Sequence, residues 1–152
     1  MHCQGNDFVF LDLENMPDLK QDWSMLARRL TDRHFGIGGD GLVLMGAGLQ
    51  TVWQPGDQPL HWMRIFNADG SEAETCGSAI LCTAYYLGEK HNKDEITLDT
   101  IKGEMLCKIN RATKSVTTNM GKVTFEKELS IPCPTRDEGV GERRGGAISF
   151  DD

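Results

Sequence analysis

The chain has 152 residues, 39% of them hydrophobic, enough for one domain with a core of its own. Its 16 basic residues against 23 acidic ones give a net charge of −7, which excludes broad contacts with nucleic acid or anionic membrane surfaces. No apolar run reaches the roughly 20 residues of a helical membrane span.

Five cysteines stand at positions 3, 76, 82, 107 and 133. The number is odd, no Cys-x-x-Cys pair exists and no histidine falls at zinc-ligand spacing, so neither a disulfide framework nor a structural metal is expected. Leu11 and Leu13 are interrupted by Asp12 and Glu14, so no signal-peptide pattern is expected. Reduced thiols and a cytoplasmic location fit this composition.

Taken in order, Gly5, Asn6 and Asp7 read as a turn feeding a strand over residues 8–13, where Val9, Phe10 and Leu11 carry strand character. Residues 22–35 follow as an amphipathic helix. Trp23, Leu26, Ala27 and Leu30 recur at helical spacing, Asp22 is the expected N-cap and Gly36 the expected stop. The glycine-dense segment GIGGDG, residues 36–41, follows a helix and precedes a strand. That order is the reverse of the dinucleotide fingerprint, and the Lys-Ser/Thr of a P-loop is missing. Tight packing or a turn is the expected use.

A short strand at 42–45, a Gly-, Gln- and Pro-rich excursion over 46–59 and a strand at 60–66 come next. Residues 67–70 then mark a turn, and Glu72 and Glu74 beyond it are expected to place negative charge near the coming helix start. Residues 76–87 are apolar nearly all round, which marks a buried helix, and Gly88 is its expected stop. Strand patterns at 96–100, 104–109 and 115–120 supply the natural cover. The remainder, 122–152, has prolines, paired glycines and an Arg/Glu cluster without sustained periodicity. It reads as one further strand at 123–125 and then a linker or tail.

Cys76 falls where the apolar helix begins. A helix start presents unpaired backbone N–H groups and the positive end of the dipole. Both favour a thiolate at that cysteine and a bound carboxylate beside it. Cys82 and Cys107, in apolar surroundings, read as inert packing.

Three segments in this order, GNDFVFLD, RHFGIGGDG and IFNADGSEAETCGSAILC, resemble the N-terminal half of the diaminopimelate epimerase family. The resemblance runs from about residue 2 to residue 121, so residues 1–121 are expected to form the family-like domain and 122–152 a tail. It implies an α+β fold: a single half in which a buried central helix is wrapped by mixed, mostly antiparallel strands. It also implies a cofactor-independent isomerase that interconverts L,L- and meso-diaminopimelate in lysine biosynthesis by thiol acid/base chemistry. Cys76 matches the first of two catalytic cysteines, and Asn6 and Asn67 match substrate-pocket asparagines. Gly77 matches the residue whose amide cradles the substrate carboxylate, with Ser78 beside it.

Departures accompany the match. Cys76-Gly77-Ser78-Ala79 stands where the family has Cys-Gly-Asn-Gly, Leu81 replaces an arginine, and the HCQGND start differs from the usual His-Gly-Leu-Gly-Asn-Asp. The second cysteine segment of the family is not recognisable, so a C-terminal half-domain or a homodimer partner is expected to complete the site. The partner in solution is a small amino acid. Two alternatives stand beside this reading: a racemase for another amino acid, and a catalytically silent amino-acid-binding remnant.

Overall fold

The computed structural model describes residues 1–14, 16, 21–48 and 61–121. The further strand expected at 123–125, the tail, Cys133 and most of the 46–59 excursion lie outside the described residues. Residues Met1–Met120 form one compact unit.

Among the described residues, ten elements make up this unit. They are β1 (His2–Cys3), β2 (Asn6–Asp12), α1 (Trp23–Thr31), β3 (Gly41–Ala47), β4 (His61–Asn67), β5 (Glu72–Ala73), α2 (Gly77–His91), β6 (Glu95–Thr100), β7 (Gly103–Asn110) and β8 (Ser115–Thr118). The strands form one sheet in the order β1-β2-β3-β4-β6-β7-β8, with β5 added beside β4. The β2–β3 and β4–β6 pairs are parallel and the others antiparallel.

Helix α2 packs against β1 at one edge of the sheet and β8 at the other, as well as β6 and β7. A sheet whose two outermost strands both reach one helix is curled around it. The period-2 alternation of the strands follows from this. Phe8, Val43, Met45, Met63 and Ile65 face inward and join Ala79, Ile80, Ala84 and Leu87 of α2 in the main core. Their neighbours Val9, Leu42, Leu44 and Phe66 face outward and are covered by Ala27, Leu26 and Leu30 of α1. β3 is buried along almost its whole length because it lies between the two helices. The expected α+β half, with a buried helix inside mixed strands, is the observed one.

The element ends differ from expectation for local reasons. Asn6 and Asp7 belong to β2, not to a turn. The turn is Gln4–Gly5, both in the left-handed region (φ 53° and 89°), which makes a tight two-residue hairpin between β1 and β2. Helix α1 starts at its expected cap, where the Asp22 carboxylate accepts from the Met25 amide at 2.9 Å. It stops at Asp32, whose carboxylate draws in the His34 and Phe35 amides at 2.7 and 2.9 Å. Gly36 instead lets the chain double back on the helix end, because a Cβ there would lie 2.3 Å from the Arg29 carbonyl oxygen.

Helix α2 likewise runs through Gly88 and ends at Asn92, in the left-handed region, whose amide bonds back to the last carbonyls. Gly88 serves close packing: a Cβ there would lie 2.4 Å from Ile109 Cδ1. The C-terminal end of α2 is fastened to β2, where Asp12 accepts from Tyr86 Oη at 2.9 Å and Lys90 Nζ at 2.6 Å. Among the described residues no helix is long and apolar enough to cross a membrane.

Candidate active site

The site lies at the end of the sheet where β2 and β3 begin and β4 ends. Phe8, Gly41 and Asn67 are in register across these three strands, so Asn6, two residues before Phe8, and Asn67 occupy the same end. β5 leads from there into α2.

Cys76 is the N-cap residue of α2, in extended conformation (φ −149°, ψ 113°), and its side chain makes no capping bond. The first helical bond is from the Ile80 amide to the Cys76 carbonyl at 3.0 Å. The amides of Gly77, Ser78 and Ala79 lie ahead of it and carry the positive end of the dipole. The thiol is half-buried, its inner side packed against the main core. Above Gly77 the ground is open: a Cβ there would meet only Met120 Cε, at 3.8 Å.

Asn6 is exposed, and its Nδ2 donates to the buried Ser78 Oγ at 3.2 Å across 72 residues of sequence. The serine at the second helical position therefore holds the Asn6 side chain over the start of α2. Asn67 is arranged separately. Its Nδ2 donates to Ser71 Oγ at 2.9 Å, and its backbone closes a tight turn with Ser71 and Gly70. Asp69 accepts from both the amide and the hydroxyl of Ser71 (2.8 and 2.6 Å), and the hydroxyl bond is the leading cause holding its carboxyl below the usual range. Asn6, Gly77, Ser78 and Cys76 thus meet at one helix start, while Asn67 stands at the same sheet end on its own turn.

A second layer supports Asn6. Arg33 clamps Asp7 with two bonds, 3.0 and 2.6 Å, and reaches Asp40 at 2.9 Å; Asp40 also accepts from the Asp7 amide at 3.0 Å. The Arg33 bonds bring the Asp7 carboxyl down to about 2. GIGGDG is the scaffold for this clamp. A Cβ at Gly39 would meet the Asp7 carbonyl at 3.2 Å, and one at Gly41 the Phe66 carbonyl at 2.8 Å. The sequence does not display the clamp as such; its one local mark is an Asp just beyond a glycine in each motif, Gly5-Asn6-Asp7 and Gly39-Asp40. Glu72, read as charge for the helix start, is instead paired with Arg64 on β4. Among the described residues no cluster of three His, Cys, Asp or Glu side chains is placed to hold a metal.

Comparison with known proteins decides the ancestry of this arrangement. Residues 1–126 match the family model described as diaminopimelate epimerase. The chain belongs to the diaminopimelate epimerase family. It is similar to the diaminopimelate epimerase of Halothermothrix orenii, 41% identical over 91% of this chain and 47% of that protein. It is also similar to those of Carboxydothermus hydrogenoformans (38% identical, 92% and 48%) and Pelotomaculum thermopropionicum (37%, 97% and 52%).

The chain spans about half the length of these curated relatives. Among solved structures, a phenazine biosynthesis PhzC/PhzF protein from Clostridium difficile shares the fold, with a TM-score of 0.52, 18% identity, and coverage of 70% of this chain and 35% of that one. The relatives are isomerases by name, and this chain corresponds to one half of such an epimerase.

Proposed function

We propose that this chain supplies one half of a cofactor-independent site that epimerises diaminopimelate in lysine biosynthesis, with Cys76 as one of its two acid/base thiols. The observation that carries the reading is the meeting of Cys76, the open Gly77 amide and Asn6 at a single helix start.

The chemistry follows from those parts. The α-proton of an amino acid is very weakly acidic, so its removal needs a base held against the α-carbon and fixed donors at the carboxylate. The substrate carboxylate sits on the amides of Gly77 and Ser78, where the dipole favours an anion and no side chain intrudes. Each such donor is worth roughly 10²–10³ in rate. The Cys76 thiolate takes the α-proton; a thiol on the opposite face returns one, which inverts the centre. Asn6 and Asn67 hold the polar ends of the substrate.

The opposing thiol comes from a C-terminal half-domain or from a homodimer partner, because the family's second cysteine segment is not recognisable in this sequence; Cys82 and Cys107 are buried. The substrate is a small amino acid, and the reduced thiols suit the cytoplasm.

A second reading rests on Ser78. Its hydroxyl is engaged by Asn6, so the residue standing where the family has asparagine does not point a free amide at the substrate. This favours a related amino acid, or an amino-acid-binding remnant without turnover. The deciding experiment incubates the chain with L,L-diaminopimelate in deuterated water, alone and with a C-terminal half from a relative. The expected result is α-deuterium incorporation only in the mixture, abolished by Cys76→Ala. Exchange that survives Cys76→Ala would overturn the assignment. Absence of exchange in both samples, with heat of binding by calorimetry, would establish the binding remnant.

A further inference from the structure

Among the described residues the curled sheet does not close. β1 and β8 end the strand order, and no bond pairs them, so a seam remains between the two edges where both lean on α2. A cleft of about 330 Å³ occupies this seam, lined by Cys3 on β1, Val116 on β8, and Leu81, Cys82 and Tyr85 on α2. Two thiols thus line one small-molecule-sized opening. Cys3 is half-buried and reachable from the cleft, while Cys82 lies beneath it at 5% exposure.

We propose that Cys3 and Cys82 form a thiol-modification site in this seam, which takes a low-molecular-weight disulfide and closes to an intramolecular Cys3–Cys82 bond. The inference rests on the seam alone and is independent of the epimerase reading. With oxidised glutathione as the disulfide, the Cys3 thiolate attacks one glutathione sulfur. The glutathione S–S bond breaks, one glutathione thiolate leaves, and Cys3 becomes a mixed disulfide. Cys82 then gives its proton to solvent and attacks Cys3 Sγ, expelling the second glutathione thiolate, which is protonated by solvent. Two protein thiols are oxidised and one glutathione disulfide is reduced.

The order follows from exposure and acidity. Burial, with Cys3 next in effect, pushes the Cys82 thiol up to about 11, so Cys82 is a poor first attacker but a well-placed resolving thiol. The two side chains come from β1 and α2, which pack together, and line one cleft, so forming the roughly 2 Å S–S bond brings the two sulfurs together across it.

The chain is equilibrated with oxidised glutathione under native conditions, digested, and mapped by mass spectrometry. Cys76 and Cys82 share one tryptic peptide, residues 65–90, so fragmentation between them must assign the link. The expected map joins residue 3 to residue 82 and leaves residue 76 outside the link. Cys82→Ala is expected to stop at one glutathione on Cys3, and Cys3→Ala to leave Cys82 reduced, with circular dichroism reporting that each variant is folded. If a variant fails to fold, the wild-type map decides alone. A Cys3 that stays reduced, or one linked to Cys76 or Cys133, overturns the proposal.

Discussion

The Asn6–Ser78 bond makes an asymmetric prediction. Each side chain can be cut to alanine, but the partners left behind differ. Ser78 is only 8% exposed and Asn6 is exposed. Asn6→Ala therefore strands a buried hydroxyl, which costs about 1–3 kcal/mol. Ser78→Ala leaves an amide that water can satisfy, so only the net bond of about 0.5–1.5 kcal/mol is lost. Part of even that returns, because alanine is the better helix former by a few tenths of a kcal/mol.

Asn6→Ala should accordingly destabilise by about 1 kcal/mol more than Ser78→Ala. The double variant should be no worse than Asn6→Ala, since no hydroxyl remains to be stranded. Urea unfolding followed by helical circular dichroism measures all three against the parent. If Ser78→Ala is the costlier change, or if the two costs simply add, the bond does not hold Asn6 as described.

Further outcomes follow from other contacts. Gly88→Ala should destabilise by about 1–2 kcal/mol despite its better helix propensity, because its methyl would lie 2.4 Å from Ile109 Cδ1 and 2.9 Å from the Lys93 carbonyl oxygen; combined with Ile109→Val, which removes the first of these contacts but not the second, it should cost less than the sum of the two in urea unfolding. Gly77→Ala meets nothing closer than 3.8 Å and should leave the urea midpoint unchanged or slightly raised. In the mixture with a C-terminal half it should slow α-proton exchange at least tenfold, since the methyl intrudes on the carboxylate; unchanged exchange would remove Gly77 from the site. His61 is 3% exposed, neither ring nitrogen has a hydrogen-bond partner among the described residues, and burial, with the neighbouring His91, Lys93 and Lys90 outweighing Glu14, holds its pKa below 6.5. The unfolded chain binds that proton first, so stability should fall as pH drops below 6.5, and His61→Leu should flatten this limb of the urea midpoint against pH.

What the sequence discloses divides along a physical line. α2 was readable because a helix buried on every side must be apolar on every side. Cys76 was readable as its start because the polar turn gives way to apolar residues at that point. The strand patterns at 96–100 and 104–109 were readable for the same reason, being short stretches rich in β-formers.

Features set by approach between distant segments were not readable. Gly88 looks like a helix stop, and only the nearness of Ile109 shows it to be a packing glycine. β1 and β5, at two residues each, carry no periodicity. The left-handed Gln4, which moves Asn6 from turn to strand, has no local mark. The Asn6–Ser78 bond and the Arg33–Asp7 arm of the clamp each join motifs that the sequence displays separately, and no short window of the sequence contains both partners.

That separation has a consequence in time. The Gln4–Gly5 hairpin is local and can form as soon as it leaves the ribosome, but Asn6 finds Ser78 only after 72 further residues are made. At synthesis rates of about 5–20 residues per second, the hairpin waits roughly 4–14 s for its helix. Until then β1 has nothing to lean on, and the inward faces of β2, β3 and β4 are uncovered. The end of the molecule that carries Cys76 is therefore completed only after α2 has been made, and premature capture of those strand faces is the hazard this topology builds into its own synthesis.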